Sequence, residues 1–216
     1  MEFHGACCKW LEHFNIKAKG ILTNAVDIKE YDKYKNKFQE NKQKIEILYA
    51  GRLIKDKGVL LLQQANKIIQ SKYKNVSLLI AGQGPLYDEL KKDTSLKLLG
   101  KLEYDKIMEY YAKADIFVNP SSFAEGLPTT VLEAGLMKCA VVATDAGGTI
   151  EVIEDNNTGL LCKPEVNSIV EKLEMLINDN KLSKNLAENL HKKVCEQFSW
   201  EKTVEEILEI IGQDSD

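Results

Sequence analysis

A chain of 216 residues, 44% of them hydrophobic and 29% charged, is long enough to bury one globular core with some chain to spare at an end. Its 29 Lys and Arg against 33 Asp and Glu leave a formal net charge of -4, which argues against nucleic acid as a partner. Cys7, Cys8, Cys139, Cys162 and Cys195 are an odd set without CxxC spacing or clustered histidines, which points to scattered thiols of a reducing cytoplasm rather than a metal site.

The N-terminus, MEFHGACCKWLEHF, lacks a basic n-region and a continuous apolar stretch. No later run reaches the ~20 apolar residues of a membrane span. The expectation is a soluble cytoplasmic protein without a transmembrane segment, with only a peripheral membrane contact left open. Residues 1–35 hold one helical piece and the strand-like GILTNAVD ending at Asp27, too little to fold alone. The lysine-rich stretch from Lys29 to Lys44 reads as a solvated linker, and 36–216 as the single domain that follows it.

From Lys44 onward, short β-rich apolar runs alternate with segments of helical period, the pattern of βαβ units and a parallel sheet. Six strands are expected: IEILYAG to Gly51, VSLLIAG to Gly82, LKLLG to Gly100, DIFVNP to Pro120, AVVATD to Asp145 and GLLCKP to Pro164. Several are continuous apolar runs, as strands covered on both faces must be. Crossover helices are expected over Lys57 to Tyr73, on Leu61, Ala65, Ile68 and Ile69, and over Asp105 to Ala114, on Ile107, Tyr110 and Tyr111. After Pro164, Ile169, Leu173, Leu176 and Ile177 mark one amphipathic helix, and Leu182, Leu186, Leu190 and Val194 a second. A last helix runs from Trp200 to Ile211.

Three loops carry candidate chemistry. In Gly51-Arg52-Leu53-Ile54-Lys55-Asp56-Lys57-Gly58, directly after the first strand, Arg52 and Lys57 place two fixed charges beside a helix start, a combination suited to a diphosphate. A plain solvated loop is the alternative. It is no P-loop, because no Ser or Thr follows the lysine. Gly82-Gln83-Gly84-Pro85 makes a tight strand-to-helix turn, but Tyr87 stands where the dinucleotide fingerprint has its third glycine, so NAD is not expected. In Phe123 to Gly135, Pro128 favours the first helical turn, which puts Gly126 and Leu127 in the loop and leaves the amides of Thr129 and Thr130 among the unpaired donors of a helix start. Glu125 and Glu133 bracket that anion site, or else simply complement the positive helix end.

Glu125 and Glu133, with seven residues between them in the EGLPTTVLEA context, resemble the glutamate-pair motif of the retaining GT-B glycosyltransferases, the glycosyl transferases group 1, which include sucrose synthases and bacterial mannosyl- and glucosyltransferases. GRLIKDKG is similar to that family's GRxxxxKG loop, and Gly147, Gly148 and Glu151 in DAGGTIEVI, then NNTGLLCKP, follow in the family's order. The likeness runs from about Gly20 to Ile211. It implies a Rossmann-like α/β fold, a parallel sheet with helices on both faces, as the C-terminal half of a GT-B architecture. The implied substrate is a UDP- or GDP-sugar donor, with no cofactor and no metal. By resemblance Gly51, Arg52 and Lys57 meet the donor, the two cations gripping its diphosphate. Glu133 accepts from the ribose hydroxyls and Glu125 faces the donor sugar. The backbone at Gly126, Leu127 and Pro128 contacts the sugar, the amides of Thr129 and Thr130 contact the phosphate, and the backbone at Leu102 holds the base. Glu125, Arg52 and Lys57 form the implied catalytic set.

Two departures stand out. Ala25 in ILTNAVDIKEY replaces the glycine usual in the family's interdomain strand, and nearly all of the N-terminal acceptor domain, with its histidine, has no counterpart. His4, His13 and His191 lie in no matching context and are taken for surface residues. The chain is therefore expected to be inactive without an acceptor domain; the partners expected are a separate acceptor-domain chain or, through the donor face, a second copy of itself. Alternatives are a non-catalytic sugar-nucleotide-binding module, a subunit of a split transferase, or a fragment of a GT-B-type sugar-nucleotide epimerase. A glycoside hydrolase using the two glutamates has no need of the cationic loop.

Overall fold

The computed structural model of the protein describes residues 23–38, 43–123 and 126–212. Strands β1 (Ile45–Ala50), β2 (Val76–Ala81), β3 (Leu96–Gly100), β4 (Ile116–Asn119), β5 (Ala140–Thr144) and β6 (Leu160–Cys162) coincide with the expected apolar runs. All pair in parallel, in the order β3-β2-β1-β4-β5-β6. The helices are α1 (Lys29–Tyr34), α2 (Val59–Lys72), α3 (Tyr87–Leu90), α4 (Tyr104–Lys113), α5 (Thr129–Leu136), α6 (Thr149–Val152), α7 (Val166–Asn178), α8 (Asn180–Gln197) and α9 (Trp200–Gly212). This is the Rossmann-like α/β fold.

Successive side chains of a strand point to opposite faces, and the two cores separate accordingly. Ile47, Leu78, Ile80, Ile116, Val118 and Val142 enter one cluster, closed by α2 and α7 through Leu62, Ile69, Ile169 and Leu173. Leu48, Leu79, Phe117, Val141 and Ala143 enter the other, closed by α4 and α5 through Met108, Tyr111, Val131 and Leu132. Helix α8 serves both, with Leu186 in the first and Leu190 and Val194 in the second. In α2 the fully buried stripe is Val59, Leu62, Ala65 and Ile69. Leu61 and Ile68 are only half-buried and pack on its flank.

The lysine-rich stretch is more than a solvated linker. Its lysines at 29, 33, 35 and 37 are exposed, yet Glu30 and Tyr34 are buried. The Tyr34 hydroxyl donates to Asp105 Oδ1 at 3.0 Å, and its burial, with that carboxylate beside it, pushes the phenol pKa up to about 12. Upstream, Val26 N donates to Phe198 O at 2.9 Å and Trp200 N to Val26 O at 3.2 Å, pinning this segment against the start of α9. The expected helical piece before Gly20, with Cys7, Cys8, His4 and His13, lies outside the described residues.

Gly58 ends the first loop with φ +68°, and a Cβ there would stand 1.8 Å from the Pro120 carbonyl oxygen. Gly100 has φ +70° but nothing within 4 Å of such a Cβ. Urea unfolding should therefore separate two substitutions with the same backbone penalty. Gly100→Ala should cost about 1 kcal/mol, whereas Gly58→Ala, which must also displace backbone, should cost on the order of 3 kcal/mol or more. Equal losses would mean that the loop moves away from Pro120 without cost.

Candidate functional site

The strand order reverses direction between β1 and β4. Helix α2 leaves β1 for the face of the first cluster, and α5 leaves β4 for the face of the second. Where neighbouring parallel strands send their connections to opposite faces, a crevice opens at their carboxyl ends, and ligands bind there. The two walls are built from residues 51–58 and, of the loop after β4, 120–123 and 126–128.

Backbone bonds fasten the walls together. The carbonyl of Asp56 accepts from Ser122 N at 2.9 Å, Ser122 Oγ at 3.1 Å and Ser121 Oγ at 3.2 Å. On the other side, Leu53 N donates to Gln83 O at 2.9 Å and Leu86 N to Leu53 O at 3.1 Å, which ties in the glycine turn. Tyr49 Oη donates to Arg52 O at 2.8 Å and holds that peptide. The Arg52 side chain is exposed, with no hydrogen bond or ion pair among the described residues, and Lys57 is half-buried. A cleft of about 380 Å³ opens beside this loop, lined by Gly51, Arg52, Gly82, Gln83, Lys101 and Leu102. Leu102 thus lines the same cleft as Gly51 and Arg52, together with Gln83 of the glycine turn, whereas Lys101 carried no signal that reasoning from motifs would find.

In the second wall, Pro128 precedes helix α5 as its N-cap rather than occupying its first turn. Its fixed φ is -76°, and its carbonyl accepts from Val131 N at 3.0 Å. The amides of Thr129 and Thr130 are left without a partner among the described residues. Such amides at the positive end of a helix attract an anion. Leu127 is buried and Gly126 exposed. Behind them, a Cβ on Gly148 would stand 2.8 Å from Leu127 N, so only glycine lets the 147–149 turn pack this close. In front, Asn24 Nδ2 donates to Leu127 O at 2.6 Å, a contact across the fold that no local pattern announces. Glu125 lies outside the described residues.

Glu133, in the second turn of α5, is half-buried, and that burial pushes its carboxyl pKa up to about 7 against the lowering effect of the Tyr111 hydroxyl nearby. Tyr111 is fully buried, and its hydroxyl stands beside the carboxylate without a well-formed hydrogen bond. Burial and that neighbouring charge push the phenol well above its usual range. His191 is half-buried rather than a surface residue. Its Nδ1 lies 2.7 Å from Leu136 O, and its ring packs against Tyr31, centroids 4.7 Å apart. Cys139 and Cys162 are buried free thiols, and Cys195 is half-buried. Among the described residues no three His, Cys, Asp or Glu gather around a possible metal, and no helix is long and apolar enough to cross a membrane.

With this geometry in view, comparison with known proteins places the chain. The model of the glycosyl transferases group 1 matches residues 30–193, and the chain belongs to that family. It is 32% identical over 197 residues to the capsular polysaccharide biosynthesis glycosyltransferase CapM of Staphylococcus aureus, covering 83% of this chain and 51% of that protein. The chain spans about half the length of the curated relatives it matches. The C-terminal domain of a glycosyl transferase group 1 protein, LpcC of Francisella tularensis, superposes with a TM-score of 0.71 at 29% identity, covering 81% of this chain and 99% of that domain. Anabaena HepE in complex with UDP shares the fold, with a TM-score of 0.78 at 22% identity over 90% of this chain and 57% of that one. The fold is that of the C-terminal domain of a GT-B glycosyltransferase.

Because Glu133 titrates near 7 in the folded protein and at 4.5 as an ordinary glutamate, the folded state binds the extra proton between those values. Stability contributed by the neutral acid is therefore lost as pH rises toward 7. Replacing the carboxyl by an uncharged amide in Glu133→Gln should stabilise the ligand-free domain by up to ~3 kcal/mol at pH 8 and hardly at all at pH 4. Urea unfolding at the two pH values is the check, and an equal change at both would contradict the buried charge.

Proposed function

We propose that this chain is the donor half of a retaining glycosyltransferase and binds a UDP- or GDP-sugar in the crevice between the β1–α2 and β4–α5 loops. One observation carries the reading: a loop bearing Arg52 and Lys57 is fastened through the Asp56 carbonyl to the loop that leads to the amides of Thr129 and Thr130, which have no partner among the described residues. Two cations and a helix start are thereby preorganised for a diphosphate. When the glycosidic bond to that diphosphate breaks, negative charge builds on the leaving group, and fixed charges and dipoles stabilise it without reorganisation. In this reading Arg52 and Lys57 supply the neutralisation, Glu125 faces the sugar, and the backbone from Gly126 to Pro128 contacts sugar hydroxyls. Gly51 and Leu102, in the 380 Å³ cleft, meet the nucleoside end. Glu133 accepts from the ribose hydroxyls, which offers its strained carboxylate the donors it lacks.

The acceptor would be held by a second domain or chain. An effective molarity of reactants and a water-free cleft require two walls. Trp200, Val204 and Leu208, exposed on α9 at a spacing of four residues, offer apolar surface for such a partner to cover.

Calorimetric titration of UDP, GDP and ADP and their sugars, with and without EDTA, tests the core of the proposal. One of them should bind, and chelation should leave that affinity unchanged. Arg52→Ala and Lys57→Ala should each weaken it by roughly 10- to 100-fold, the worth of a charge-assisted hydrogen bond. Unchanged affinity in both variants would place the diphosphate elsewhere.

If the ribose hydroxyls bond the ionised Glu133, binding also lowers its pKa, so the complex should release protons between pH 6 and about 7. Titration of the sugar nucleotide, whose doubly esterified diphosphate has no group titrating in that range, in buffers of different ionisation enthalpy should show that release in the native chain and none in Glu133→Gln. Sugar transfer with retention at the anomeric carbon, followed by NMR, should appear only when an N-terminal half is added in trans. Transfer by the 216 residues alone would overturn the split between donor and acceptor roles.

A further inference from the structure

Asn24 makes a contact whose consequence lies four bonds along the chain. Its side-chain amide donates to the carbonyl of Leu127 at 2.6 Å. That carbonyl belongs to the peptide joining Leu127 to Pro128, the last peptide unit before the N–H of Thr129. Pro128 brings no N–H of its own, and its ring holds φ at -76°. One rotatable torsion, the Pro128 ψ of 111°, therefore separates the plane of the Leu127 carbonyl from the direction of the Thr129 amide, and the bond from Val131 N to the Pro128 carbonyl restrains it.

Both ends of the contact are anchored. Two residues beyond Asn24, Val26 is bonded through its N–H and its carbonyl to Phe198 and Trp200. Lys29 N donates to Asp27 Oδ1 at 2.9 Å at the start of α1. Leu127 has its side chain buried, and the backbone of Gly148 packs behind it so closely that a Cβ there would meet Leu127 N at 2.8 Å. The peptide is thus held between a hydrogen bond in front and backbone behind. Only a donor can serve at position 24, because a carbonyl oxygen only accepts.

We propose that Asn24 is a positioning residue of the donor site: by holding the Leu127 carbonyl, it sets the direction in which the amides of Thr129 and Thr130 meet the donor's phosphate. The assignment rests on the reading of the crevice as a diphosphate site. The segment that leads into the domain then bears directly on the phosphate end of the site and leaves the nucleoside end, across the crevice at Gly51 and Leu102, untouched.

Two variants of the full chain test this, Asn24→Ala, which removes the side chain beyond Cβ, and Asn24→Asp, which keeps the shape and loses the donor. Asn24 is exposed, so both should fold. In the ligand-free proteins, the ¹H–¹⁵N signals of Thr129 and Thr130 should shift and their exchange quicken, while those of β2 stay in place. Affinity for UDP should fall about 2- to 10-fold, the equilibrium worth of one neutral hydrogen bond, with affinity for uridine unchanged; GDP with guanosine, or ADP with adenosine, replaces that pair if the native chain prefers it. A general loosening of the fold would instead weaken nucleoside and diphosphate alike, and that result, like native affinity in Asn24→Asp, overturns the assignment. A native chain that binds none of UDP, GDP and ADP brings down the reading of the crevice, and the assignment with it. Normal binding by the native chain and by both variants brings down the assignment alone.

Discussion

The backbone of Gly58 lies against the carbonyl of Pro120, and the remainder of the site depends on that approach. Pro120 ends the run after β4, and Gly58 closes the loop after β1, so the contact joins the two walls at the point where the strand order reverses. The left-handed backbone at Gly58 turns the loop into α2, and the lack of a Cβ lets the Asp56 carbonyl reach Ser121 and Ser122. A cationic loop and a helix start from separate stretches of chain thereby share one crevice. Much of what lines the crevice is consequently peptide: carbonyls that fasten the loops and amides at the start of α5.

Glu133 shows the cost of such a site. A carboxyl group kept half-buried among the apolar residues of a helix is driven toward its neutral form, and the Tyr111 hydroxyl beside it offers incomplete relief. Isolated, the domain would be steadier without the charge. Acids whose pKa is pushed this far by burial cluster at functional sites, where stability is commonly exchanged for function.

The segment from Thr23 to Phe38 is part of this economy. Val26 extends backbone pairing to the start of α9, Tyr34 plugs the second core cluster and reaches Asp105, and Asn24 touches the loop before α5. A lysine-rich composition reflects only its outward side. Its inward side is specified by a few residues whose partners lie seventy or more positions away in the chain.

The order of elements and the class of fold could be read from the sequence because they follow from local rules. Apolar runs such as VSLLIAG and AVVATD fit only strands covered on both faces, and a 3.6-residue period marks the helices between them. The GRLIKDKG and EGLPTT loops were legible for the same reason, since glycine, proline and charge act on their own few residues. Three things were decided by tertiary structure alone. The burial that lifts the Glu133 carboxyl arises from the packing of α4 beside α5, and sequence carries no measure of dielectric. His191 looked like a surface residue until α8 packed on the end of α5 and brought its ring to the Leu136 carbonyl. The contacts of Asn24 with Leu127 and of Gly148 behind it depend on how chain ends more than a hundred residues apart, or loops twenty apart, come together. Periodicity and motif spacing describe a residue's neighbours along the chain, whereas these interactions are set by neighbours that only the folded sheet assembles.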